Sequence, residues 1–265
     1  MLHGIQDDDE KYLQLAARTV GLRDKKVLEV GGCSSPSILA THGPRSWNCV
    51  NLNPQAVSAF NEQARNLALD NYSAVLQDAA TYEPGDSYDR IYSINSFEHI
   101  ANLASALRNM YKALAPGGAL FTIFGPIWSS DVGHHLSIST PGGSLNFFDG
   151  VLAPWEHLTS TPDAIHAKLE KLHGSAVASR AVEYIFSYPD LNRLCEHEYL
   201  AIIRDSGFIP AMIVRNKKGT PPPVPGASRT REFAMVLRRQ RTPMSQKALY
   251  LLKFGWAYLK SKLQT

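Results

Sequence analysis

The stretch KVLEVGG, residues 26–32, decides the fold: a short apolar run that stops at a Gly-Gly turn. Four comparable runs follow by residue 125: NCVNLNP (48–54), SAVLQDA (73–79), YDRIYSINSFEHI (88–100) and LAPGGALFTIFG (114–125). Lys26–Val30, Trp47–Val50, Ala74–Leu76, Ile91–Ile94 and Ala119–Phe124 predict strands. Between them, Pro36–Thr41, Gln55–Leu69 and Leu103–Leu114 predict helices. Val57, Phe60, Ala64 and Leu67 give the second its helical spacing, and Pro54 precedes it, where a missing N–H costs little. Strands alternating with helices predict an α/β fold with a doubly wound, mostly parallel sheet covered on both faces. Its ligand crevice then lies at the carboxyl ends of the strands.

Further along, Glu196–Ser206 predicts a helix stopped by Gly207. Ile209–Val214 and Glu232–Leu237 predict two more strands, for seven in all, separated by the Pro-rich segment TPPPVPGAS (220–228). About 70 residues of weak periodicity, rich in Trp, His, Pro and Gly, follow the fifth strand, too long for a simple connection and read as a lid or substrate-binding insertion. The expected division is 1–125 for the cofactor-binding core, 126–192 for the lid, 193–240 for the closing helix and last two strands, and 241–265 for a basic amphipathic helix.

Composition fits a soluble globular protein, with 265 residues, 44% hydrophobic and 19% charged. No run approaches the roughly 20 apolar residues of a membrane span. The first residues are acidic and lack a signal-peptide core. Three scattered cysteines, Cys33, Cys49 and Cys195, form no zinc pattern, so a reducing cytoplasm is the expected compartment. Charge is uneven. Residues 211–265 hold 12 Lys and Arg against one acid, Glu232, while the other 210 residues hold 15 basic and 23 acidic residues.

Three successive strand ends present polar groups suited to a nucleoside-bearing ligand. Glu29 precedes the turn Gly31-Gly32-Cys33-Ser34-Ser35, where glycines let backbone approach a ligand. Asn51 stands at the second strand end, where a ribose hydroxyl is usually read, and Asp78 at the third can accept a bond from an adenine amino group. In combination, these residues resemble the class I S-adenosylmethionine-dependent methyltransferase family over roughly 25–125, with weaker support at 192–238. The resemblance implies the Rossmann-like methyltransferase fold and S-adenosylmethionine as cofactor. The VLEVGG-type motif would hold the methionine end, the second strand end the ribose, and Gln77-Asp78-Ala79 the adenine. The expected cofactor-binding set is Glu29, Gly31, Gly32, Asn51, Leu52, Asp78, Ala79 and Asn95. SINSFEHI (93–100) resembles the family's segment after strand four. Two departures stand out: Cys33 and Ser35 replace glycines of a G-x-G-x-G turn, and Asn51 replaces an acid that would make charge-assisted ribose bonds.

Methyl transfer from a sulfonium is an in-line displacement that depends on alignment and exclusion of water. An oxygen acceptor also calls for a base, and histidine suits neutral pH. The loop GPIWSSDVGHHLS (125–137) should overhang the methyl group, with His134 or His135 as the expected base. Trp128, Trp155, His157 and Tyr184 are the expected substrate contacts, the aromatics forming a cage; Tyr188, Asn192 and His99 stand nearby as further candidates. Adjacent histidines point apart on a strand and no H-x-x-x-H spacing exists, so no metal is assigned. The expected acceptor is a small molecule or a glycan- or lipid-linked metabolite, modified at oxygen. A noncatalytic binding module, favoured by Asn51, and an NAD(P)-dependent oxidoreductase are the rivals, but GGCSSPS lacks the third glycine of a dinucleotide fingerprint.

Residues 244–263, MSQKALYLLKFGWAYLKSKL, place Leu249, Leu252, Trp256, Leu259 and Leu263 on one broad helical face among Lys247, Lys253, Lys260 and Lys262. The pattern suits a helix docked on the domain or a dimer partner, or one resting on anionic lipid. Nucleic-acid binding is not expected, because no recognition fold is evident.

Overall fold

A computed structural model describes residues 3–240, with side chains from residue 10 onward. The basic segment 244–263 therefore lies outside the described residues. Strands β1 (Lys26–Val30), β2 (Ser46–Asn51), β3 (Tyr72–Leu76), β4 (Tyr88–Ile94) and β5 (Leu114–Phe124) alternate with helices α2 (Pro36–Thr41), α3 (Pro54–Asn66) and α4 (Leu103–Ala113). A helix, α1 (His3–Val20), precedes them; the sequence reading did not anticipate it. A hairpin, β6 (Ser137–Thr140) and β7 (Gly143–Asn146), follows β5, then α5 (Glu156–Thr159), α6 (Pro162–His173) and α7 (Ser175–Ser187). The closing unit is α8 (Glu196–Asp205), β8 (Ile209–Lys217) and β9 (Thr230–Arg238).

The main sheet runs β3-β2-β1-β4-β5-β9-β8. The first five strands are parallel, and β9 pairs antiparallel with both β5 and β8. The order reverses direction at β1, so the strand ends of β1 and β4 open the crevice that doubly wound sheets use for ligands.

Alternation along each strand feeds a core on each face. Leu28, Val30, Ile91, Leu120 and Phe124 pack with α4 and α8; Val27, Trp47, Tyr92, Phe121 and Ile123 pack with α1 and α3. Helix α4 buries Leu103, Ala106, Leu107, Met110 and Ala113, one continuous face at helical spacing, and Asn102 caps it by accepting from Ser105 N at 3.0 Å. Helix α1 contributes Leu13, Ala16 and Val20 to the second core, a stripe present in the sequence that its acidic first residues disguised.

Residues 126–192 do not form a loose loop. Leu136, Ile138, Leu145, Leu152, Ile165, Leu169, Ala178, Ala181 and Ile185 make a third core of their own. Thr161 caps α6 and Pro162 opens it, so the helix starts where its sequence allows. The insertion therefore covers the sheet edge as a packed unit.

Candidate active site

At the end of β1 the chain turns through Gly31, held at φ +85°. A methyl group there would come within 2.4 Å of the Ser96 hydroxyl, and one on Gly32 within 2.3 Å of Glu29 Oε1. Both glycines thus exist because the turn is squeezed between the post-β4 turn and the Glu29 carboxylate. Glu29 itself lies beneath the loop. Its oxygens accept from Ser34 N, Ser34 Oγ (2.7 Å), Trp47 Nε1 (2.7 Å) and Cys49 Sγ (3.3 Å), and the residue is buried. Glu29, expected in the cofactor-binding set, has its carboxylate turned to the protein's own donors and shapes the turn above it. Burial pushes its pKa up, opposed by the hydrogen bonds from Ser34, Trp47 and Cys49.

Asn51, partly exposed at the end of β2, ties two turns together. Its Nδ2 donates to Gly31 O (3.0 Å) and its Oδ1 accepts from Asn53 N (2.7 Å). An acid could not donate to that carbonyl. The departure from an acidic residue therefore has a local reason. Asn53 in turn caps α3, accepting from Gln55 N and Ala56 N. Leu52 between them is 64% exposed, an apolar surface beside polar groups at the crevice rim.

Asp78 is fixed at the end of β3 by Ala80 N donating to its Oδ1 (2.8 Å). Asn109 of α4 braces the same turn by donating to Ala79 O (3.2 Å) and Ala80 O (2.9 Å). Asn95 is exposed at the end of β4 with φ +47°, its N–H donating to Ile123 O at 2.8 Å. The ends of β1 to β4 thus present a glycine turn, a carboxamide, a carboxylate and a second carboxamide along one sheet edge.

The β4 and β5 side is covered by the insertion, and its histidines are not open to solvent. His135, at φ +51°, hydrogen-bonds through Nε2 to Pro126 O and packs edge-on against His99, with ring centroids 5.3 Å apart. Its ring is committed to holding the loop, which corrects the expectation of a base at this position. Burial, the dominant cause, lowers the pKa of His135 to about 4, of His157 to about 4 and of His134 to about 3.

His134 and His157 differ from His135. Leu136 N donates to His134 Nδ1 (3.2 Å), so the neutral ring carries its proton on Nε2. His157 Nε2 faces Trp128 O at 2.7 Å and must donate, which leaves Nδ1 bare. The two rings lie 5.6 Å apart between centroids, and both His134 Nε2 and His157 Nδ1 are buried without a partner. A donor and an acceptor are left over side by side. A group that both accepts and donates, such as a hydroxyl, satisfies the pair.

The aromatics divide. Trp128 is partly exposed, with Arg193 over its ring at 5.7 Å and His157 at 4.6 Å. Trp155 is buried, and its Nε1 donates to Ser129 O and Ser228 O, both 3.1 Å away. It braces the post-β5 loop against the Pro-rich segment, which corrects the expectation that it walls an open cage. Tyr184 stacks on Tyr188, centroids 4.7 Å apart. His99 bonds to Asp190 O through Nδ1 at 2.8 Å. Asn192 clamps the post-β4 turn, donating to Phe97 O (2.6 Å) and Ile100 O (3.1 Å) while accepting from Tyr199 Oη (2.8 Å).

The sequence reading missed Glu98. Fully buried, it accepts from Gly125 N at 3.0 Å through Oε1, while Oε2 has no partner. Burial raises its pKa to about 8, helped by nearby Glu232. It joins the post-β4 turn to the start of the loop that carries the histidines. Only its place in SFEHI hinted at this.

A parallel five-strand ladder with one antiparallel strand inserted beside β5, and polar groups at four consecutive strand ends, defines a methyltransferase-type fold. Comparison with known proteins agrees. Residues 30–120 match the family described as "Methyltransferase domain". Over 60 residues the chain is 37% identical to (S)-coclaurine N-methyltransferase of Thalictrum flavum subsp. glaucum, covering 23% of this chain and 17% of that protein. Over 121 residues it is 24% identical to "Probable (S)-tetrahydroprotoberberine N-methyltransferase 2" of Papaver bracteatum, covering 44% and 34%. The matches thus span well under two thirds of either relative. An S-adenosylmethionine-dependent methyltransferase of Mesorhizobium loti superposes with TM-score 0.55 at 14% identity, covering 88% of this chain and all of that one. The [4+2]-cyclase SpnF superposes with TM-score 0.52 at 13% identity, covering 88% and 81%. Residues 30–120 thus carry a match to a methyltransferase domain, and the chain has the fold that S-adenosylmethionine-dependent methyltransferases adopt.

Proposed function

We propose that this chain transfers a methyl group from S-adenosylmethionine to a small-molecule acceptor at oxygen. The observation that carries the reading is the alignment of Gly31, Asn51, Asp78 and Asn95 along one sheet edge. The glycine turn, too tight for any added methyl, suits the methionine end; Asn51 suits the ribose, Leu52 the base face and Asp78 the adenine amino group. The cofactor supplies the methyl on a sulfonium, already joined to a good leaving group. The protein's part is to align the acceptor and exclude water, worth at best about 7–11 kcal/mol of the barrier.

The left-over donor and acceptor on His134 and His157 favour oxygen. A hydroxyl held there accepts from His134 Nε2 and donates to His157 Nδ1, which takes up its proton as the oxygen is methylated. The sites are buried, so the insertion opens to admit the acceptor. A second reading, a nitrogen acceptor, is favoured by the names of the two plant relatives, both N-methyltransferases. Calorimetry with S-adenosylhomocysteine tests the first step: binding in the micromolar range is expected, and no heat at millimolar ligand overturns the reading. Paired hydroxyl and amine acceptors, assayed by S-adenosylhomocysteine release, decide the second. Turnover of hydroxyl compounds that collapses in His157→Phe supports oxygen; turnover confined to amines replaces it with nitrogen.

A further inference from the structure

Beneath the glycine turn, two cysteines flank one buried carboxylate. Sheet register pairs Glu29 of β1 with Cys49 of β2, so the two side chains leave the sheet on the same face. Cys49 Sγ donates to Glu29 Oε2 at 3.3 Å. Cys33 sits in the turn between Gly32 and Ser34, and Ser34 closes that turn onto the same carboxylate through its N and Oγ. The Cys33 side chain packs against the core cluster that contains Cys49, and its thiol stands within hydrogen-bonding reach of the Cys49 thiol. Both thiols are free, but their exposure differs: Cys33 is partly exposed and Cys49 is buried. Burial, and after it the Cys33 thiol, push the pKa of Cys49 up, so Cys49 stays protonated. A reagent from solvent therefore meets Cys33 first. Cys33 is also one of the two departures from the glycine pattern, and its backbone is not left-handed. The turn thus accepts a side chain at this position, and the one present is a thiol beside a second thiol.

We propose that Cys33 and Cys49 form a peroxide-responsive pair that closes into a reversible disulfide and loosens the glycine turn from Glu29. In the first step Cys33 Sγ attacks one oxygen of hydrogen peroxide. The O–O bond breaks, Cys33 becomes a sulfenic acid, and the thiol proton leaves with the other oxygen as water. In the second step Cys49 Sγ attacks Cys33 Sγ and passes its proton to Glu29 Oε2. The S–O bond breaks, and the departing hydroxide takes that proton from Glu29 to leave as water. Two thiols are oxidised, one peroxide is reduced to two waters, and Glu29 ends as it began. What changes is the support of the turn: Glu29 loses its Cys49 donor, and the residue before Ser34 is tethered to β2. A consequence for cofactor affinity rests on reading this turn as the methionine-end site; the disulfide itself does not.

The test treats the full-length protein with a small excess of hydrogen peroxide, blocks remaining thiols with a maleimide after denaturation, and maps the product by mass spectrometry. The expected product is a single chain lighter by two hydrogens, with Cys33 and Cys49 linked and one blockable thiol where the reduced chain has three. Dithiothreitol should restore all of them. Hydrogen exchange should rise across residues 31–35, because the Ser34 N–H loses its fixed acceptor. Affinity for S-adenosylhomocysteine should fall about tenfold on oxidation, the scale of one disturbed hydrogen bond to a buried carboxylate, and recover with dithiothreitol. Cys33→Ser should abolish every peroxide effect, and Cys195→Ser should leave them all in place. In Cys49→Ala, Cys33 should pass on to the sulfinic acid for want of a resolving thiol. If that core variant fails to fold, Cys33→Ser alone decides. Sulfinic acid on Cys33 of the wild type with the Cys49 thiol intact, a disulfide that uses Cys195 or joins two chains, or no peroxide product overturns the proposal. A Cys33–Cys49 disulfide that leaves exchange at 31–35 unchanged overturns its coupling to the turn. Binding of S-adenosylhomocysteine by neither form overturns the methyltransferase reading instead, and mass and exchange still decide this one.

Discussion

Residues 26–125 and 126–192 meet at the same sheet edge but treat polar groups in opposite ways. In the ladder, Asn51, Asp78 and Asn95 stay partly or fully exposed, while backbone donors and acceptors hold the turns that carry them. In the insertion, His134, His135 and His157 are buried and kept neutral. The difference teaches where rigidity comes from in each half. The ladder's strand ends are held largely by hydrogen bonds among backbone and carboxamide groups, which do not titrate, with the buried Glu29 carboxylate as the chief exception. The insertion is fixed by packing that weakens as its imidazoles take up protons.

Acidification should separate the halves, and this is the largest effect expected. The three folded-state pKa values, about 3, 4 and 4, lie below the unfolded value near 6.5. Between those limits the unfolded state binds more protons, so stability rises with pH. The contribution is complete above about pH 6.5 and is lost as pH falls toward 4. His157 contributes to the low value of His134, so the three are not additive. At about 1.4 kcal/mol per pKa unit the total should still exceed about 3 kcal/mol. Hydrogen exchange at pH 7 and pH 5 should show protection falling across 126–192 while β1 to β4 change little. Equal loss in both halves would break the contrast.

The same division explains what the sequence made legible. Strand runs and the Gly-Gly turn are local patterns, and all five strands of the ladder form at the expected runs, although β4 and β5 begin at Tyr88 and Leu114 rather than Ile91 and Ala119. Helix α3 begins at Pro54 rather than Gln55. The insertion's meaning is set by partners far along the chain. Trp155 became a brace because its indole reaches Ser228, 73 residues on, and His157 is anchored on Trp128, 29 residues back. No spacing rule announces such pairs. The helices α6 and α7 were more accessible, since Ile165 with Leu169 and Ala178, Ala181 with Ile185 already lie at helical spacing. The abundance of His, Pro and Gly around them masked it. Glu98 was hidden for a different reason: only the fold shows that a charged residue at a turn is fully buried.

Glu98 sits at the joint between the halves, and its pH dependence runs the other way. Its folded pKa, about 8, lies above the ordinary 4.5. Between pH 4.5 and 8 the folded state binds the extra proton, so this contribution is full below about 4.5 and is lost as pH rises through 8. Glu98→Gln keeps an oxygen for Gly125 N–H and removes the titration. Relative to wild type, the variant should gain about 2 kcal/mol between pH 5 and pH 9, a cautious share of the shift. Denaturant unfolding at a series of pH values reads this directly. A difference that stays flat with pH would place the proton elsewhere. Together with the histidines, Glu98 gives the wild type a stability maximum between the two titrations.

The smallest expected effect belongs to the ladder and concerns ligand rather than fold. Asp78→Asn keeps an acceptor for Ala80 N, so the turn after β3 should persist. The substitution removes the charge and can present an amide N–H to the adenine amino group, where two donors would meet. Affinity for S-adenosylhomocysteine should drop about tenfold, or about 1.4 kcal/mol, by calorimetry. The melting temperature and exchange protection in 126–192 should not move, because no hydrogen bond of Asp78 reaches the insertion. Unchanged affinity would remove Asp78 from the cofactor site while leaving the acid-sensitivity contrast intact. A loss of protection in the insertion would show instead that the halves are coupled through the crevice they share.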